Sequence, residues 1–440
     1  MASKLTVEDF GSFSLAFVFS ALFISIFDYG LNLKSLTLSG EKTSDVRKTL
    51  SSMVFVKTSI TLLCIICFLI FLKFSSYTVY TKKVILILGL SAIPVSFGNF
   101  YLNSFKILND FKKEAIGYFI QAACLIGFII VNEFYGNNTA IYFAWIITLA
   151  RLLYLLYALL IYNKQFQLSI NFSVKEAYII AKKATPFAVH FILSSFIIYI
   201  DTFILSFLSD LENVGIYQAG MRIILAAMLI SVIVSDAFIP EVSSLRKNTD
   251  VVKVKMNKLF EFVLLFATLV ALFVFFFKNT IIQLLFSDSY LVLNSFIFYI
   301  ISIIFLRYIG IVPGIILTSF NKQNVRANAV VISVIASILL NIILIPILGI
   351  KGAFLSSLIA HIILNIVYVC KSFRIIRFVK FSKNYFFIFG SFLGIYIILE
   401  KFFIDNLSSL FISLLLNLII IVIYSRFAKL KQYLKSNNKT

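Results

Sequence analysis

Apolar residues along this chain gather in long runs, with neither the alternation of a half-buried strand nor the narrow stripe of an amphipathic helix. Thirteen runs stand out, at 10–29, 53–73, 84–103, 115–133, 140–162, 184–208, 214–238, 259–277, 290–320, 326–347, 352–373, 384–400 and 406–426. Most are about 18–25 residues long, the length at which an α-helix crosses roughly 30 Å of hydrocarbon. No water in that layer satisfies backbone groups, so each run is predicted to be a helix. With 440 residues, 61% apolar and 13% charged, the chain has more apolar surface than a soluble core can hide. The fold class that follows is an all-α polytopic membrane protein of about 13 transmembrane helices.

The net charge of +20 raises the question of nucleic acid, and its distribution answers it. Segments 34–57, 104–115, 163–183, 241–258, 321–326, 371–383 and 426–440 hold 29 of the 39 Lys and Arg. The alternate connections hold seven. Basic loops of this kind stay on the cytoplasmic side, which predicts a multi-pass protein with a cytoplasmic C-terminus and no nucleic-acid partner. Trp145, Tyr135 and Tyr142 fit an outer aromatic belt. All four cysteines lie within apolar runs, and Cys64–Cys67 has no second pair, so no metal site is expected. The first residues carry Glu8 and Asp9 and no small-residue cleavage site, unlike a signal peptide.

The chain also repeats itself. VEDFGSFSLA (7–16) matches LENVGIYQAG (211–220), with Glu8, Phe10, Gly11 and Phe13 against Glu212, Val214, Gly215 and Tyr217. Each opens a run entering from outside, and each run closes on an acid, Asp28 or Asp236. LNSFKILNDF (102–111) parallels LTSFNKQNVR (317–326), and Pro94 and Pro313 each fall inside a run just before. These prolines are expected to bend their helices and to serve as hinges. The repeats run the same way through the membrane, as parallel repeats about its normal. The expected division is an N-terminal lobe (1–162, five helices), a cytoplasmic linker (163–183), a second lobe (184–373, six helices), and a terminal hairpin with a basic tail (374–440). The second lobe has a helix, 184–208, ahead of its glycine element, and the first has none. One helix is therefore expected to be missing at the start, through a misplaced start codon, truncation or true loss.

Three arginines, Arg151, Arg222 and Arg307, stand inside apolar runs, against one acid at comparable depth, Asp201. A charge at the centre of a membrane helix costs about 2.5–3.5 kcal/mol, so it is kept for a partner or a task. Asp201 and Arg222, on consecutive helices, read as an ion pair that fixes the two or as a gate. Arg151 and Arg307 have no acid in register and read as the lining of a hydrated cavity; snorkelling, or capping of a kinked helix's free carbonyls, is the plain alternative. Surplus positive charge there favours an anionic cargo. His361 and His190 are candidates for a protonation site, with helix packing as the plain alternative. Asn99, Asn103, Gln121, Gln218 and Asn341 either face the cargo or hydrogen-bond neighbouring helices.

The stretch GIVPGIILTSFNKQNVRANAVVISVIASILLNIILIPILGIKGAFLSSLIAHIILNIVYV (310–369), with Asn341, Ile345, Pro346, Gly349, Gly352 and Ala353, resembles the polysaccharide-biosynthesis flippases, the Wzx-type translocases of O-antigen and capsule repeat units. KATPFAVHFILSSFIIYID (183–201), followed by Val214-Gly215-x-Tyr217, resembles the start of that family's second half. LTVEDFGSFSLAFVFSALFISIFDYGL (5–31) resembles its second helix. Together these cover most of residues 1–373 and are specific for the superfamily that also holds lipid II flippases and multidrug and toxin extruders. The resemblance implies two six-helix lobes around a central cavity. It also implies alternating-access transfer of an undecaprenyl-diphosphate-linked oligosaccharide to the outer leaflet of the cell inner (plasma) membrane, with no enzyme chemistry and no cofactor. The partners expected are that polyprenyl-diphosphate-linked glycan, the lipid bilayer and the polymerase or ligase of the same pathway. On this reading Arg151, Arg307 and Arg222 hold the diphosphate and sugars. A lipid II flippase fits the same charges, and a multidrug extruder fits them less well because organic cations call for acids. A membrane glycan polymerase or ligase needs a folded outer region, and no outer connection exceeds about a dozen residues.

Overall fold

The structure, a computed structural model, describes residues 2–36, 43–108, 110–135, 138–166 and 174–377, and among them every regular element is helical. The first seven helices are α1 (Val7–Asp28), α2 (Leu31–Leu36), α3 (Thr43–Phe74), α4 (Val79–Leu90), α5 (Ala92–Asn103), α6 (Phe111–Tyr135) and α7 (Ala140–Phe166). Then come α8 (Val174–Leu208), α9 (Leu211–Ala227), α10 (Leu229–Ser244), α11 (Thr249–Phe276) and α12 (Lys278–Leu285). The described chain closes with α13 (Ile297–Ile309), α14 (Ile311–Ser319), α15 (Gln323–Leu348) and α16 (Ile350–Ile375). Short side chains start several of them. Thr6, Thr78, Asp210 and Asn248 accept the amides of Asp9, Thr81, Asn213 and Val251, which would otherwise be orphaned in the first turns of α1, α4, α9 and α11.

Ten helices or continuous helix pairs are long and apolar enough to cross a membrane, and α8 supplies an eleventh as a bent pair, Phe187–Leu193 and Ile198–Leu208, at 55°. These match the eleven runs before residue 374. The runs at 384–400 and 406–426 lie outside the described residues. The bend in α8 was not foreseen. Ser195 sits in it and donates to Phe191 O at 3.1 Å, a side-chain bond that competes with the helix ladder.

Both expected proline interruptions occur, each three residues ahead of the ring. α4 gives way to α5 at Ser91 before Pro94, and α13 to α14 at Gly310 before Pro313. A proline lacks the N–H that would bind the carbonyl four residues back, and its ring crowds that carbonyl. The break falls at that point. The third interruption, at Met228 between α9 and α10, has no proline behind it.

α1 lies at the centre of the assembly, packed against α9, α4, α8 and α5. Of its most apolar stretch 72% is buried within the protein, against 6% for that of α6, on the outside of the bundle. Gly11 of α1 and Gly215 of α9, the two matched glycines of the repeat, are where these helices touch. A Cβ on Gly11 would stand 1.8 Å from Leu211 O, and one on Gly215 would stand 2.4 Å from Val7 O. Small residues let membrane helices approach to backbone contact, so the repeated element is itself the crossing point. Phe10 caps the crossing, meeting Phe286 and Tyr290 edge-on at 6.2 and 5.8 Å. Further along, Phe19 packs on Phe68, Phe71 and Phe203. In the later half, Gly349 turns the chain with φ +57, and Gly352 brings α16 against the Leu344 carbonyl of α15.

Candidate functional site

Two of the three arginines converge on one aromatic ring. Arg151 of α7 lies 5.6 Å from the centroid of Phe17 on α1, and Arg222 of α9 lies 5.4 Å from the same centroid. The ring's electron-rich face attracts each guanidinium without neutralising it. Arg151 is buried and donates through one terminal nitrogen to Ser20 Oγ and Ser91 Oγ, both at 2.6 Å. Ser91 is the residue at the α4–α5 break, so the arginine is seated on the interruption. Arg222 is exposed, although it lies in the middle of an apolar run.

Arg307 of α13 has a different anchor, donating its Nε–H to Nε2 of His361 on α16 at 3.0 Å. An accepting Nε2 puts the imidazole proton on Nδ1, which faces Ser357 O at 2.8 Å. His361 is thus fixed as a neutral acceptor, more specific than the packing role weighed for it. Asn365, one turn on, donates to His361 O at 2.8 Å and stands over Gly310 at the α13–α14 break. Arg151 is eleven residues beyond Ala140 and His361 eleven beyond Ile350, the first residues of α7 and α16. Each repeat therefore aims the same position of its last helix at an interrupted helix.

The expected Asp201–Arg222 pair does not form. Asp201 is buried and accepts hydrogen bonds from Tyr217 Oη at 3.0 Å, Asn341 Nδ2 at 2.6 Å and the Ser337 hydroxyl. The reason is register. α8 ends at Leu208 and α9 starts at Leu211, so Asp201 lies opposite Tyr217, and Thr202 takes Gln218 Nε2 at 2.5 Å. Arg222 is more than a turn deeper. Among the described residues no carboxylate oxygen lies within salt-bridge distance of Arg151, Arg222 or Arg307.

One charged site escaped the sequence reading. Lys57 was counted with the basic connection 34–57, yet it lies inside α3 with no exposed surface. Its ammonium donates to Ser96 Oγ at 2.7 Å and to Phe27 O at 3.0 Å, and stands 4.0 Å from Asp28 Oδ1. The signal was present: Met53-Val54-Phe55-Val56 precedes Lys57, so the apolar run flanks it on both sides.

Most of the polar positions left open turn out to join helices or helix to turn. Asn99 accepts Tyr154 Oη at 2.7 Å, and Asn103 donates to Asn32 O at 2.8 Å. The side chains of His190 and Asp236 lie outside the described set. Among the described residues no three His, Cys, Asp or Glu stand close enough together to hold a metal ion.

The architecture has counterparts among solved structures. A lipid II flippase, MurJ, in an inward closed conformation superposes with a TM-score of 0.71 at 19% identity, over 96% of each chain. An outward-facing multidrug resistance transporter of the MATE family gives 0.52 at 14%, covering 84% of this chain and 86% of that one. A MOP superfamily transporter from Pyrococcus furiosus, described as having a binding pocket of reversed polarity, gives 0.52 at 14%, covering 83% and 85%. At these identities the likeness is one of fold. No curated protein sequence matches the chain. The polysaccharide biosynthesis proteins match over residues 1–246, more than half of the chain, and it is to this family that the protein belongs.

Proposed function

We propose that this protein moves a polyprenyl-diphosphate-linked oligosaccharide from the cytoplasmic to the outer leaflet of the inner membrane, for assembly of a cell-surface polysaccharide such as O-antigen or capsule. The observation that carries this reading is that, among the described residues, no carboxylate lies within salt-bridge distance of three guanidinium groups, with Arg151 and Arg222 on one ring of α1 and Arg307 on α13. Guanidinium never loses its proton and offers a planar fork to phosphate oxygens. A cargo carrying a diphosphate supplies the counter-charge that the protein leaves out. A multidrug extruder would need acids for organic cations, and the polarity here is the opposite.

In this mechanism residues 1–162 and 184–373 act as two lobes. They rock about the Gly11–Gly215 crossing, with the interruptions ahead of Pro94 and Pro313 taking up the bend. The diphosphate lies among Arg151, Arg222 and Arg307, the sugars beside it, and the polyprenyl chain stays in lipid. Binding favours the closed form only by as much as the cargo prefers it. A polymerase or ligase would then use the glycan on the far side.

Replacing Arg151 or Arg307 with Ala is expected to trap lipid-linked glycan in the inner leaflet at unchanged protein level, measured by glycan accessibility in vesicles of defined sidedness. Full export by the double variant would reject the assignment. Complementation of a strain lacking its lipid II flippase separates that substrate, which also carries a diphosphate, from other glycan lipids.

A further inference from the structure

We infer that Lys57 and Asp28 form a proton-binding site that governs how the α1–α2 turn holds α8. The site is independent of the cargo assigned above and lies on groups with no part in holding it. Lys57 is fully enclosed, yet its hydrogen bonds go to neutral acceptors, Phe27 O and Ser96 Oγ. Phe97 and Phe100 stand 5.4 and 5.8 Å from its ammonium. Asp28 Oδ1 is buried, has no hydrogen-bond partner and lies 4.0 Å from Nζ. An ammonium and a carboxylate thus share an enclosed space without the bond that would lock them. A pair so close titrates as a unit, and a proton added to it settles on the carboxylate. A metal ion at Oδ1 would stand beside an ammonium, so the cation this site takes is the proton.

Each partner is tied to a different element. Lys57 is fastened to α5 and to the last carbonyl-bearing turn of α1. Asp28 is the last residue of α1, so its carboxylate stands at the foot of the turn that follows. That turn is left-handed at Tyr29 (φ 47) and Gly30 (φ 71). It is wedged against α8: a Cβ on Gly30 would stand 2.6 Å from Phe187 Cβ and 2.8 Å from Ala188 N. Tyr29 Oη meets Thr185 Oγ1 at 3.1 Å. Protonation removes the charge that faces the ammonium at the foot of this turn, and the wedge against α8 loosens.

Few other charges bear on the site. α3 adds Lys48, paired with Glu176 of α8 at 2.6 Å, and α2 adds Lys34. α5 carries no ionisable group but Tyr101. α8 contributes the exposed Lys182 and Lys183, and His190, whose side chain is outside the described set.

The test is a pH titration of the full-length protein in nanodiscs, by infrared difference spectroscopy for carboxyl protonation and by hydrogen exchange at residues 29–36 and 180–190. The wild type is expected to show one carboxyl band, missing from the Asp28→Asn spectra, whose titration midpoint coincides with faster exchange in both segments. Asp28→Asn removes that titration and leaves exchange fast at every pH. Lys57→Met raises the midpoint by about 1 unit or more, because the carboxylate loses its neighbouring cation. The uncharged double variant, Asp28→Asn with Lys57→Met, keeps the packing and is expected to be folded and insensitive to pH. Identical carboxyl titrations in the wild type and Asp28→Asn, pH-dependent exchange of both segments that persists in Asp28→Asn, or a midpoint unmoved in Lys57→Met overturns the inference. Neither result bears on the arginine site, since no cargo is present.

Discussion

Arg307 donates to Nε2 of His361 across 3.0 Å, and His361 occupies on α16 the position that Arg151 occupies on α7. The two halves thus answer one structural requirement with different chemistry. In the first half the last helix supplies the cation. In the second it supplies the acceptor that aims a cation from the interrupted helix.

Loss of that acceptor is expected to matter more than loss of its volume. His361→Leu should lower stability by about 1.5–3 kcal/mol, the worth of a hydrogen bond to a charged group, and should impair transport. His361→Gln offers a carbonyl oxygen in the same region and should recover part of both. Thermal unfolding in detergent alongside leaflet assays checks the pair of values; equal effects of Leu and Gln would argue that the ring only fills space.

Asp201 and Arg222 are expected to behave as strangers. Asp201→Ala strips Tyr217, Ser337 and Asn341 of a shared acceptor and should cost about 1–3 kcal/mol. Arg222→Ala gives up a ring contact worth about 1 kcal/mol or less. In a double-mutant cycle the coupling should be near zero. A coupling above about 1 kcal/mol would restore the ion pair first expected between them.

Gly11→Leu or Gly215→Leu forces a side chain into a neighbouring backbone carbonyl. Overpacking of this kind typically costs about 1–3 kcal/mol. The measurable result is a lower unfolding temperature. An unfolding temperature unchanged by either substitution would show that the two helices part there with ease.

Much of this was legible in the chain. Run length and loop charge located every described span, because hydrocarbon admits so few solutions for a backbone. The glycines at 11 and 215 stood out as matched positions of a repeat, but that their helices touch there is seen only in the structure. Pro94 and Pro313 marked their breaks for a local reason. Partner choice was harder. Asp201 and Arg222 looked paired by helix order, but a turn of register separates them. Lys57 looked like a loop residue because one lysine at the edge of an apolar run has the same signature inside or outside the helix. The bend of α8 and the meeting of two arginines on Phe17 depend on contacts between distant segments, which no local pattern encodes.

The most direct measurement of the account is binding of a short-chain polyprenyl diphosphate to the purified protein, compared with the monophosphate and with the Arg151→Ala/Arg222→Ala variant. The wild type should prefer the diphosphate and the variant should lose at least tenfold in affinity, about 1.4 kcal/mol. Equal affinity for all three combinations would mean that these guanidinium groups do not hold phosphate, and that the arginines serve the fold alone.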